Sequence, residues 1–171
     1  MKVDLIKDFY SKELEDKSVQ DNRLTVHVGI LTLIGAALLF SLKNPIGTDH
    51  NLFSLFLGAL VLALIFFVAS IVQVIRANIG HKYERLPRAD VVYDYFLKLQ
   101  DFYRSNPKTF GSSEDDFEDY LKRKMVEATA RNTDVNLLRS ARNHTALVLM
   151  ALAVALSLVC AVMAILTSTN A

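Results

Sequence analysis

The chain has 171 residues, of which 52% are hydrophobic, and its 19 Lys and Arg against 18 Asp and Glu leave a net charge of +1. So balanced a charge points to no class of partner, and no nucleic acid is expected among them. The hydrophobic residues stand in blocks, which excludes an ordinary soluble core, and the single Cys160 excludes a disulfide framework and a cysteine zinc site.

Residues 1–22 place Val3, Ile6, Tyr10 and Leu14 at helical spacing among charges, which predicts a short amphipathic helix. Asp4, Asp8, Glu13, Glu15 and Asp16 stand beside the lysines, a mixture unlike the basic face of an anionic-lipid binder. This helix is therefore expected to pack on protein.

Three blocks without Asp, Glu, Lys or Arg follow, at 24–42, 52–75 and 145–167. Each reaches the roughly 20 apolar residues that cross a bilayer of ~30 Å. None alternates like a barrel strand, so each must satisfy its backbone as a helix. The predicted fold is an all-α membrane protein with three transmembrane helices. Its expected parts are a cytosolic N-terminal helix at 1–22, a helical hairpin at 23–76, a cytosolic helical segment at 77–144, a third membrane helix at 145–167 and an external tail at 168–171. The 23 mostly polar residues ahead of the first block do not resemble a cleavable signal peptide, so that block is expected to stay in the mature protein.

Five Lys and Arg precede the first block, one (Lys43) lies between the first and second, thirteen lie between the second and third, and none follows. The positive-inside rule then puts the N-terminus and 76–144 in the cytoplasm, and the 43–51 turn and the C-terminus outside. The 43–51 connection carries Pro45 and Gly47 as turn formers. His27, near the inner end of the first block, suits interfacial packing with its tip among the headgroups, or proton sensing.

In the cytosolic segment, Val92, Phe96, Leu99 and Tyr103 share one face of a helix expected over 88–104, with Pro87 in its first turn. A loop with Pro107 and Gly111 follows. Ser112 or Ser113 ahead of Glu114, Asp115 and Asp116 then marks a helix start. These acids, with Glu118 and Asp119, have no calcium-loop spacing and no histidine beside them, so no metal site is expected. From Ser113 to Thr167 there is neither Gly nor Pro, and Leu121, Met125, Ala128, Asn132, Val135 and Leu138 form a helical stripe that leads into the third block. One helix of about 80 Å, at ~1.5 Å per residue, is predicted to run from the polar segment through the apolar one.

Ala153, Ser157 and Ala161 repeat at four-residue spacing, a pattern that lets helices approach closely. It serves packing within one chain or self-association, and a homo-oligomer is expected. The apolar blocks contain no buried carboxylate or base of the kind that ion-coupled transport needs. No nucleophile elbow, zinc-binding helix or phosphate loop is present, so no enzyme and no cofactor are expected. Binding is the remaining activity. Arg85, Arg88, Asn132, Asn136, Arg139 and Arg142 could clasp an anionic small molecule such as a nucleotide second messenger, or couple copies. Solvated helix faces would have the same composition.

The run "YLKRKMVEATARNTDVNLLRSARNHTALVLMALAVAL", with Tyr120, Leu121, Glu127, Ala128, Asn132, Asn136 and Arg139 ahead of a final membrane helix, resembles the small bacterial antiphage membrane effectors of the Pycsar and SLATT type. The resemblance implies an inner-membrane effector that is gated by a nucleotide signal or an infection cue and works with a cytosolic defence protein. It implies membrane disruption or pore formation that ends growth of the infected cell. The alternative is a membrane scaffold or accessory subunit that anchors a cytosolic partner.

Overall fold

A computed structural model describes residues 3–43, 50–107 and 111–168. The expected 43–51 turn, save its ends, and the external tail, save Ser168, lie outside the described residues. Among the described residues are four helices, α1 (Val3–Lys43), α2 (His50–Asn78), α3 (Ala89–Ser105) and α4 (Ser113–Ser168). Helices α1, α2 and α4 are each long and apolar enough to cross a membrane.

Helix α4 begins where the sequence places its start. The Asp115 amide donates to Ser112 Oγ at 3.1 Å, and that hydroxyl donates to Asp115 Oδ2 at 2.9 Å, a reciprocal cap. Gly111 before it has φ +107°, a conformation that favours glycine. The helix then continues unbroken to Ser168, as the absence of Gly and Pro predicts. Helix α1 behaves the same way. The short N-terminal helix expected over 1–22 does not end, because nothing between Val3 and Val28 interrupts it. Helix α3 starts at Ala89, one residue later than expected, since Arg88 is extended at ψ 149° and accepts the first helical bond from Val92. Pro87 therefore precedes the helix instead of opening it.

The chain divides into two compact units. Unit 1 holds residues 1–18 and 81–136. In it α3 lies on the first turns of α4 through two ring pairs, Tyr95 with Tyr120 (centroids 4.3 Å apart) and Phe96 with Phe117 (4.9 Å). The expected face of Val92, Phe96, Leu99 and Tyr103 is the half-buried one. Tyr103 Oη donates to Asp116 Oδ2 at 2.8 Å, and this bond to a carboxylate holds the phenol above its usual range. The first part of α1 also packs in this unit, through Ile6, Tyr10, Glu13 and Lys17, while Leu14 faces outward.

Unit 2 holds 19–80 and 137–171, so the polar residues 19–23 and 137–144 pack with the apolar helices. Its core joins Ile34 and Leu38 of α1, Phe56, Leu60, Ala63 and Val74 of α2, and Ala146, Met150, Ala153 and Cys160 of α4. The buried positions of α4 in this unit are Arg139, Asn143, Ala146, Met150, Ala153, Ser157, Cys160 and Ala164, in alternating steps of four and three. That is the 3.5-residue period of helices wound about one another. Ala63, Ser70 and Ala77 of α2 keep the same period, and small side chains at these layers bring the backbones close. Arg139 reaches the Ala77 carbonyl and Cys160 the Phe56 carbonyl, three heptads apart on both helices, so α2 and α4 run antiparallel in constant register. Leu33, Leu39, Leu55, Ile65 and Leu158 point outward. A water-facing protein rarely shows so continuous an apolar surface, whereas a bilayer is its natural solvent.

Candidate functional site

Of the polar side chains predicted on α4, Asn132, Asn136 and Arg139 are buried and Arg142 is half-buried, and each has partners within the chain. In unit 1 the Asn132 amide pairs with the backbone of Glu84, accepting its N–H at 2.9 Å and donating to its carbonyl at 3.1 Å. That two-bond pairing holds the segment after Gly80 against α4, since no strand among the described residues takes its hydrogen bonds. One turn later Asn136 accepts the Tyr83 hydroxyl at 2.6 Å and donates to both the carboxylate (2.7 Å) and the carbonyl (3.1 Å) of Glu13. Thr133 Oγ1 donates to the other Glu13 carboxylate oxygen at 2.8 Å. Lys17 sits over the Tyr83 ring, 5.5 Å from its centroid. Glu13 is thus the point where α1, the 81–88 segment and α4 meet inside unit 1.

In unit 2 the two arginines close the end of α2. A helix leaves its last four carbonyls without intrahelical donors. Here three of those four are met: Ile75 O accepts the Ile79 amide at 2.9 Å, Arg76 O accepts Arg142 Nη1 at 2.5 Å, and Ala77 O accepts Arg139 Nε at 3.0 Å, while Asn78 Nδ2 donates back to Val74 O at 2.8 Å. Gly80, with φ +86°, lets the chain turn away. Arg139 Nη2 also donates to Asp21 Oδ1 at 2.7 Å and to Asn78 Oδ1 at 3.0 Å. Two cations thus stand at the negative end of the α2 dipole.

Arg85 and Arg88 differ from these four residues. Both are exposed, and Arg88 pairs with Asp90 at 3.0 Å on the solvated surface. Of the expected close-approach residues, Ala153 and Ser157 are buried in the chain's own core and Ala161 is half-buried, while Ala151 and Ala155 face outward. Ser157 Oγ donates to Val154 O of its own helix. The acids after Ser112 are also occupied: Asp115 caps α4, Asp116 holds Tyr103, and Glu118 and Asp119 hold Lys122. Among the described residues no three His, Cys, Asp or Glu gather as a metal site would require.

Sequence reasoning missed Glu13, Asp21, Asn78 and Glu84 as partners. The signal for Glu13 was present. Ile6, Glu13, Gln20, His27, Ile34 and Ser41 stand at steps of seven along α1, and all are buried or half-buried. The heptad continues through polar residues, where an apolar template does not look for it. The α4 stripe shows the same effect. It holds through Asn132 and then passes to Asn136 and Arg139, leaving Leu138 45% exposed. Comparison with family models, with curated proteins and with solved structures finds no match to the chain.

Proposed function

We propose that this protein is a non-enzymatic, homo-oligomeric effector of a bacterial inner membrane, of the kind that antiphage systems of the Pycsar and SLATT type employ. In this reading it is gated by a nucleotide signal or an infection cue and acts by opening or disrupting the bilayer. One observation carries the reading: α1 and α4 each continue as a single helix from a polar to an apolar half, and Arg139 of α4 bonds both to Asp21 of α1 and to Asn78 of α2. An unbroken helix is the route along which, in this reading, a displacement of its polar half reaches its apolar half. The distribution of Lys and Arg supports cytoplasmic polar halves and an N-terminus inside, with the C-terminus outside. Arg85 and Arg88, exposed on unit 1, are the residues best placed to meet an anionic signal or a cytosolic defence protein.

The test is expression in bacteria with a voltage-sensitive dye, with and without phage infection or added cyclic nucleotides. Depolarisation and growth arrest confined to the triggered cultures are expected. Unchanged polarisation and viability under every trigger would refute the reading, and a stoichiometric foreign protein in membrane purifications would favour a scaffold instead.

A further inference from the structure

His27 of α1 and Asn143 of α4 are each 2% exposed, on the packed seams of unit 2. Among the described residues, His27 Nδ1 and both amide atoms of Asn143 are buried without a hydrogen-bond partner. The serines of these seams and Arg139 are satisfied, although Gln20 Oε1, one heptad before His27, shares the condition. The hydroxyls of Ser41, Ser70 and Ser157 each return to a carbonyl of their own helix, and Arg139 reaches three acceptors. An amide offers two donors and an acceptor with two lone pairs, and Nδ1 needs a partner in either tautomer. Buried polar atoms left in this condition lower stability, and proteins meet them with water where room and access allow.

The register of the helices brings the two residues to one level. Asp21 is bonded to Arg139, and farther along Ile30, Ile34 and Ala37 of α1 line one groove with Leu147, Met150 and Val154 of α4. Both helices therefore run in the same direction at a nearly constant offset. Counting from Asp21 and Arg139, His27 stands two residues beyond Asn143, about 3 Å at ~1.5 Å per residue. On one side of this layer lies Asp21, whose side chain is 46% exposed and open to water. On the other lie Ile34, Leu38, Met150 and Ala153, which gain nothing from hydration.

We propose that the His27–Asn143 layer is an internal water-binding site, filled when α1 and α4 part, and is the level at which the apolar helices first separate. Water entering from the Asp21 side supplies the bonds that the closed bundle leaves unmade, so opening is favoured at this layer over any apolar layer beyond it. For the effector proposed above this names where gating starts. Hydration is measured without an activity assay, so the two readings fail separately.

The experiment uses the full chain in phosphatidylethanolamine and phosphatidylglycerol vesicles, with Cys160→Ala to remove the native thiol. Ala146→Cys places a thiol on the next buried step after Asn143, and Ala153→Cys places one two steps farther into the apolar seam. With a charged, water-soluble methanethiosulfonate as probe, Ala146→Cys is expected to react about tenfold faster than Ala153→Cys, because labelling follows the population of the opened state. Adding Asn143→Leu should slow the Ala146→Cys reaction by about tenfold. Equal rates at the two thiols, or a rate indifferent to Asn143→Leu, would overturn the proposal. Asn143→Leu in the otherwise native chain supplies a second readout. Its thermal midpoint should rise, and a fall would overturn the proposal by revealing that the amide is bonded in the closed bundle.

Discussion

Arg139 of α4 donates from Nε to the Ala77 carbonyl at 3.0 Å, which makes the charged side chain of one helix the cap of another. With only 4% of its side chain exposed, this guanidinium is held by Asp21 and Asn78 as well. Arg139→Ala would leave the Ala77 carbonyl, the Asn78 amide oxygen and Asp21 without their donor. Hydrogen bonds to charged groups contribute about 1.5–3 kcal/mol each, and Asp21 is half-solvated, so a loss of about 2–3 kcal/mol is expected. Arg139→Lys, which keeps the charge but not the fork, should fall between. Thermal unfolding in detergent measures both; a midpoint unchanged in Arg139→Ala would show that the cap contributes nothing.

Asn132→Ala removes both bonds to the Glu84 backbone. A loss of about 1–3 kcal/mol follows, since the Glu84 amide and carbonyl lose partners on a segment with no ladder of its own. The distinguishing readout is local. Hydrogen exchange at Glu84 should accelerate far more than exchange in α3, and uniform acceleration would contradict the role given to this amide.

Ser157 separates two explanations of the small-residue pattern. Its hydroxyl bonds within α4, so Ser157→Ala should be close to neutral. Ser157→Leu puts four side-chain heavy atoms where two stood, at a position 2% exposed, and should cost about 1–3 kcal/mol by overpacking the chain's own core. Denaturation and particle size in detergent are the measurements. Full stability with a smaller oligomer would mean that Ser157 faces another copy.

The Tyr103–Asp116 bond gives a pH dependence of definite sign. Bonding to the carboxylate favours the protonated phenol and raises its pKa above the usual phenol range. The contribution to stability is therefore complete below the unfolded value and disappears as pH rises through the folded one. Phenolate absorbance should show Tyr103 titrating late, and Asp116→Asn should move it down. An unshifted titration in Asp116→Asn would remove the bond from the account.

The continuity of α4 was legible because it needs only the absence of Gly and Pro from Ser113 to Thr167, a local property that no packing partner can alter. The same absence along residues 3–28 made α1 one helix, although its change from charged to apolar residues reads as a boundary. The α3 face was legible because Val92, Phe96, Leu99 and Tyr103 are apolar or aromatic at helical spacing. Asn132, Asn136 and Arg139 were legible as polar residues of consequence, but not as residues turned inward. Nothing in their own stretch of chain announces that Glu84, Glu13 and the end of α2 lie across from them.

The amino-acid sequence by itself determined the number of apolar helices and the unbroken run of α4, because backbone hydrogen bonding in an apolar medium and the two helix-breaking residues act locally. Only the tertiary structure decided which faces meet. It turned Arg139 and Arg142 into caps for α2, drew Glu13 to Asn136, and buried His27 and Asn143 on seams that composition does not mark. The physical reason is that a polar side chain takes its role from the donor or acceptor opposite it, and that partner is supplied by residues about 50 to 120 positions away in the chain.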